Sequence, residues 1–254
     1  MSWTNWSTQI YNLNFIMSEH IKEKEVQHED HKSVEVLESP EVLQDRLNSS
    51  VEYVKEHKNK LSYIVGAIAL IVGGFFFYRY YQSTQNLEAQ KAMFQSVYYF
   101  EADSLNKALN GDGKNPGLKE IADDFGGTQA GNLANYYVGT IYLKQGKFDE
   151  SITYLSAFSS SDLVVQARAY CLLGDANMEK NNLDEALTFY QKAANDHPNK
   201  EFTPRYLMKL ALAAELKKDN SKAIEAYDKI VNEYPLAQEM NDAKKYKALL
   251  EGVK

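Results

Sequence analysis

From Leu61 to Tyr78 eighteen consecutive residues carry no charge and almost all are apolar (LSYIVGAIALIVGGFFFY). Coiled as a helix, that run rises about 27 Å, close to the thickness of a bilayer's hydrocarbon core. Elsewhere apolar residues recur at three- and four-residue spacing, the period of amphipathic helices. The pattern predicts a helix over 42–55 (Val42, Leu43, Leu47, Val51, Val54) leading into the apolar run. After the run it predicts a long helix over 87–109 (Phe94, Val97, Tyr98, Phe100, Leu105) and a short one over 118–125. Paired helices follow to residue 235, and a last helix over 237–250 (Ala243, Tyr246, Leu249, Leu250) covers them. The expected fold is all-α: one transmembrane helix followed by a helical-hairpin solenoid.

The flanks of the apolar run set a direction. A cleaved signal peptide ends in small residues after its apolar core, whereas Arg79-Tyr80-Tyr81-Gln82 follows here, with some sixty residues ahead. Arg46, Lys55, Lys58 and Lys60 precede the run, against Arg79 and Lys91 after it. Basic residues stay on the cytoplasmic side, so the expectation is a single-pass protein of the inner (cell) membrane with its N-terminus in the cytoplasm. Tyr63 at one end and Phe75, Phe76, Phe77, Tyr78, Tyr80 and Tyr81 at the other supply interfacial rings.

Beyond the run the chain repeats itself, and a period of this length is the mark of stacked hairpins. Tyr137-Val138-Gly139-Thr140-Ile141-Tyr142 with Ser151 and Leu155 opens the series. Thirty-five residues on come Leu173-Gly174 with Ala186, Tyr190, Ala193 and Pro198; thirty-seven further come Leu210-Ala211 with Ala223, Tyr227 and Pro235. In the second unit Gly174 admits a close neighbour, Ala186, Tyr190 and Ala193 form the facing stripe, and Pro198 stops the helix. One such hairpin cannot bury its stripe alone, so units must stack.

These residues resemble the tetratricopeptide repeat: Leu-Gly-x-x-Tyr, then Ala-x-x-x-Phe/Tyr and a closing Pro. The fit is full in the second unit, good in the third and partial in the first, where Ser151 stands for Ala and no proline closes. With Tyr98-Tyr99-Phe100-Glu101-Ala102-Asp103-Ser104 after the apolar run and Ala130-Gly131-Asn132-Leu133-Ala134-Asn135-Tyr136-Tyr137 entering the repeats, the order of parts looks like that of YfgM-like tetratricopeptide membrane proteins. That resemblance implies a non-catalytic scaffold beside the Sec translocon and a membrane-anchored periplasmic folding factor, with the solenoid in the periplasm. The expected divisions are a largely disordered cytosolic tail (1–60, of which 1–16 reads as a gene-model extension before Met17), an anchor (61–81), opening helices (82–131), three repeats (132–235) and a capping helix (236–254).

Composition narrows the function. The 254 residues carry a formal net charge of -7 with no concentrated basic stretch, so no nucleic-acid surface is implied. Cys171 is the one cysteine, which excludes an intrachain disulfide and a cysteine-based metal site. The glycine-rich stretch 110–117 (NGDGKNPG) lacks the spacing of a phosphate or calcium loop and reads as a turn. Of the histidines, His20, His28, His31 and His57 lie ahead of the apolar run, where nothing preorganises a metal site, and His197 sits at a turn. No nucleophile–base constellation is visible. Neither enzyme activity nor a cofactor or metal is expected.

The candidate site is the face of the first helix of each repeat, which solenoids use to bind extended segments. By spacing its residues are Tyr136, Thr140 and Leu143; Arg168, Cys171, Asp175 and Met178; and Arg205, Met208, Leu212 and Glu215. Cys171 also reads as a small apolar residue packed inside a helix pair. The mixture suits apolar or mixed peptides, and the Lys/Asn clamp for a C-terminal carboxylate is not evident. Within the apolar run, Gly66, Ala69 and Gly73 form a small-residue stripe able to seat another membrane helix. Two readings stand: an export or folding adaptor that uses both groove and anchor, and an assembly factor of an envelope complex that uses the anchor only as a tether.

Overall fold

The structure is a computed structural model that describes residues 40–252. The expectations for the tail ahead of residue 40, including Met17, His20, His28 and His31, lie outside the described residues. Among those described there are eleven α-helices and no strand. The chain divides into two compact units between Val72 and Gly73, a boundary inside a helix.

In the first unit, α1 (Pro40–Glu56) matches the helix expected over 42–55 and is followed after one residue by α2 (Lys58–Glu101). The ring of His57 stacks on Tyr53 with centroids 4.5 Å apart. Forty-four residues long, α2 is the one described helix long and apolar enough to cross a membrane, and none of its apolar window is buried.

The second unit contains the rest of α2, then α3 (Leu105–Asn110), α4 (Leu118–Asp124), α5 (Gln129–Lys144), α6 (Phe148–Ala157), α7 (Val165–Glu179), α8 (Leu183–Asn195), α9 (Thr203–Leu216), α10 (Asn220–Glu233) and α11 (Met240–Leu250). From α3 onward, helices adjacent in sequence pack together, as in a solenoid. Its apolar core is correspondingly local. One buried cluster joins Ala89 and Met93 of α2 to Leu109, Leu118, Ile121, Ala130 and Ala134. A second gathers Tyr136, Leu155, Phe158, Ala169 and Leu173. The largest runs from Ala167 through Tyr190, Leu207 and Tyr227 to Ala243 of α11, so α11 packs against the hairpin before it.

Small residues set the spacing within each pair. A methyl added at Gly174 would lie 2.5 Å from the ring of Tyr190, and one at Gly139 would lie 2.6 Å from Cγ of Leu155. In the third pair the corresponding positions are Ala211 and Tyr227, both fully buried. α8 ends at Asn195 and α10 at Glu233, just short of Pro198 and Pro235, because the residue ahead of a proline is pushed out of helical geometry.

The helix expected over 87–109 is in fact two. α2 stops at Glu101, Asp103 adopts a left-handed φ of 54°, and the chain resumes as α3. The N–H of Ser104 donates to Tyr99 O and that of Asp103 to Phe100 O, a Schellman ending that satisfies the last carbonyls. The same device closes α5 at Gly146 (φ 73°), α7 at Asn181 (φ 60°) and α9 at Lys218 (φ 64°). Thus α2 ends as the first helix of each repeat does. The stretch 110–117 forms a turn pinned to it: Asp112 accepts hydrogen bonds from the N–H groups of Lys114 and Asn115 and from the Tyr99 hydroxyl, while Ser96 Oγ donates to Pro116 O at 2.6 Å.

Candidate protein-binding surface

Helices α5, α7 and α9 carry the positions expected to bind. Three of them, Leu143, Asp175 and Met178, converge with Phe148, Tyr190 and Lys209 around one open hollow of about 610 Å³. Its polar wall is fixed. Asp175 Oδ1 accepts from the Tyr190 hydroxyl at 2.7 Å and from Lys209 Nζ at 2.6 Å, so the carboxylate is held by one neighbour within its repeat and one in the next. Burial, then the Asp175 charge and its hydrogen bond, push the Tyr190 hydroxyl far above the usual phenol range. It is a neutral donor at any physiological pH. The hollow therefore sets three apolar side chains (Leu143, Met178, Phe148) beside Lys144, Glu179 and the preorganised Asp175–Lys209 pair, and nothing in its lining forms a nucleophile–base pair.

The other expected residues sit differently. Tyr136 and Cys171 belong inside rather than on a face: Tyr136 packs on Phe158 with ring centroids 5.3 Å apart, and Cys171 joins the largest core cluster. A fixed helical step misses the burial of Tyr136 because each first helix packs on both sides, which widens its buried arc, while Cys171 sits as its reading as a small packed apolar residue expects. Burial raises the Tyr136 hydroxyl and pushes the Cys171 thiol up to about 12, so the thiol stays protonated and inert. Thr140 is half-buried and turns its hydroxyl back to Tyr136 O. Arg168 is exposed; Arg205 is tied to Glu201 and Glu239 at 3.4 and 3.3 Å. Met208 is half-buried against the core, Leu212 is exposed, and Glu215 accepts the Tyr227 hydroxyl at 2.5 Å. Gly66, Ala69 and Gly73 are exposed, and nothing lies within 4 Å of where a side chain on Gly66 or Gly73 would begin.

A second concavity was not anticipated. Between the later turns of α2 and the start of α5 lies a mainly apolar cleft of about 600 Å³ whose walls include Met93, Phe94, Val97, Tyr98, Leu133 and Tyr137. Phe94 and Tyr98, two of the apolar residues that marked the helix expected over 87–109, are 77% and 60% exposed. Ala89, Met93 and Ser96 take the buried positions instead, a rotation that an apolar stripe nearly all the way round the helix conceals.

Ion pairs tie successive repeats together at equivalent places. Lys180, which caps the end of α7, pairs with Asp149 in the first turn of α6, and Lys217 at the end of α9 pairs with Asp184 in the first turn of α8. Cations at helix ends and anions at helix starts also suit the helix dipoles. A search of curated proteins gave no match. Sequence models described as tetratricopeptide repeat match residues 139–201 and 205–237. The two matched segments, from within α5 to just past the end of α10, are thus tetratricopeptide repeats, a unit suited to protein–protein scaffolds rather than catalysis.

Proposed function

We propose that the chain is a membrane-anchored adaptor that holds protein segments beside the bilayer during export or folding, in the manner its YfgM-like layout implies. The observation that carries the binding part is the hollow on α5, α7 and α9, where Leu143, Phe148 and Met178 stand beside an ion pair held by Tyr190. A preorganised polar wall costs little ordering on binding, and the apolar side chains beside it add burial for a mixed segment. In favour of the anchor, large apolar side chains of α2 such as Leu70 and Ile71 are 80% and 71% exposed, as a lipid-facing helix would have them. Basic residues ahead of the span favour a cytoplasmic N-terminus. The solenoid is then periplasmic, and the Sec translocon and a folding factor are its proposed neighbours.

Site-specific photocrosslinking in intact membranes tests this reading, with one probe at Met178 in the hollow and another at Gly73 in the span. Exported chains captured at Met178 together with translocon subunits at Gly73 are the expected result. One fixed envelope protein at Met178, with lipid alone at Gly73, would replace the adaptor by a tethered assembly factor.

A further inference from the structure

The cleft between α2 and α5 lies entirely ahead of residue 139, outside the matched repeats. We infer that it receives about three turns of an apolar helix from another protein, with a lysine or arginine set against Glu101.

Shape supplies the first reason. The α2 wall runs from Gln90 to Glu101 at helical spacing, roughly 16 Å of axis. Opposite it, α5 presents Leu133 and Tyr137 four residues apart. Two side-by-side helical stripes leave a groove that the ridge of a third helix fills, the geometry of helix-in-groove recognition. The cost of leaving it open is visible, since Phe94 and Tyr98 stand largely in solvent whereas Tyr227, the one aromatic residue of α10, is fully buried.

Charge supplies the second. Among the lining residues Glu101 is the one charged side chain, and it makes no ion pair with a described residue. Its carboxylate bears on the neighbouring Tyr137 hydroxyl, which burial first and then Glu101 raise above the usual phenol range. An apolar helix laid over the cleft would strip water from that carboxylate, and a buried carboxylate needs a cation. The fitting partner is therefore apolar over one face with a single basic residue at the Glu101 end.

Position separates this partner from lipid and from a second copy. Gln90 begins the cleft nine residues after Tyr81, about 13 Å along the helix past the last of the interfacial rings. The chain's own basic helix, α11, exposes Leu249 near Lys245, but Tyr246 and Leu250 are turned into its own core. One leucine does not fill a cleft of about 600 Å³.

The inference rests on the segment-binding reading, and its test keeps the two apart. Full-length protein in nanodiscs is titrated with a labelled fifteen-residue helical peptide, Leu/Ala on one face with one Lys, and with its Lys→Glu counterpart; empty nanodiscs give the lipid background. Saturable binding is expected, with about a ten-fold preference for the Lys peptide. The double variant Phe94→Ser/Tyr98→Ser should lose about ten-fold in affinity with an unchanged melting curve, since both side chains are exposed. Glu101→Lys should invert the peptide preference. Equal binding of both peptides, or no effect of the double variant, overturns the inference. So does self-association of the full chain that the double variant abolishes and the peptide does not compete. Client crosslinking at Met178 without peptide binding here removes this inference alone, whereas capture at neither place removes the adaptor reading too.

Discussion

At Gly174 one hydrogen atom sets the distance between two helices. Tyr190 is 3% exposed and its hydroxyl donates to Asp175, so its ring cannot swing away from an added methyl. Gly174→Ala is expected to cost about 1–3 kcal/mol, the usual price of overpacking, read as a lower urea midpoint with an unchanged slope. Tyr190→Phe should cost about 1.5–3 kcal/mol through the lost hydrogen bond to a carboxylate, and it should weaken segment binding by removing one of the two groups that hold Asp175. Cys171 and Tyr206 give a pH signature. Burial pushes both up to about 12, from ordinary values of 9.0 and 10.0. Their neutral forms are favoured by folding, so the contribution is whole below about pH 9 and is lost as pH climbs towards 12. Urea midpoints between pH 8 and 11 should fall less steeply for Cys171→Ala than for the parent chain. The Gly174–Tyr190 contact was legible in the sequence because both residues are motif positions with one packing solution. The burial of Tyr136 was not, since a helix touched on two sides has no single polar face to mark.

At the scale of the helix, four endings share one geometry but not one residue: Asp103, Gly146, Asn181 and Lys218. A left-handed lysine is strained, whereas glycine adopts that geometry without a side-chain clash. Lys218→Gly is therefore expected to stabilise the chain by up to about 1 kcal/mol, measured as a raised melting temperature, while Gly146→Ala should lower it. The break at Asp103 escaped sequence reading because Glu-Ala-Asp-Ser contains neither glycine nor proline, the usual punctuation of a helix end. Boundaries at Pro198 and Pro235 were legible for the opposite reason. The exposure of Phe94 and Tyr98 belongs here also: α2 is apolar on more than one face, and periodicity alone does not say which face is covered.

For the whole molecule, the repeats mean that stability is a sum of neighbouring contacts rather than the property of one core. α11 closes the series by burying Ala243 and stacking Tyr246 on Tyr227, ring centroids 5.9 Å apart. Deleting residues 240–254 should uncover Tyr227 and Ile230, and hydrogen exchange should quicken in α9 and α10 well before it does in α5. The recurring left-handed residues carry a mechanical consequence. Each one stands between a first helix and its partner, thirty-five residues from Gly146 to Asn181 and thirty-seven from Asn181 to Lys218. Drawn out by its C-terminus in an optical trap, the second unit should lengthen in steps of roughly 12 nm, the extended length of one such interval, with α10 and α11 yielding first. A single long rip would show that the hairpins let go together.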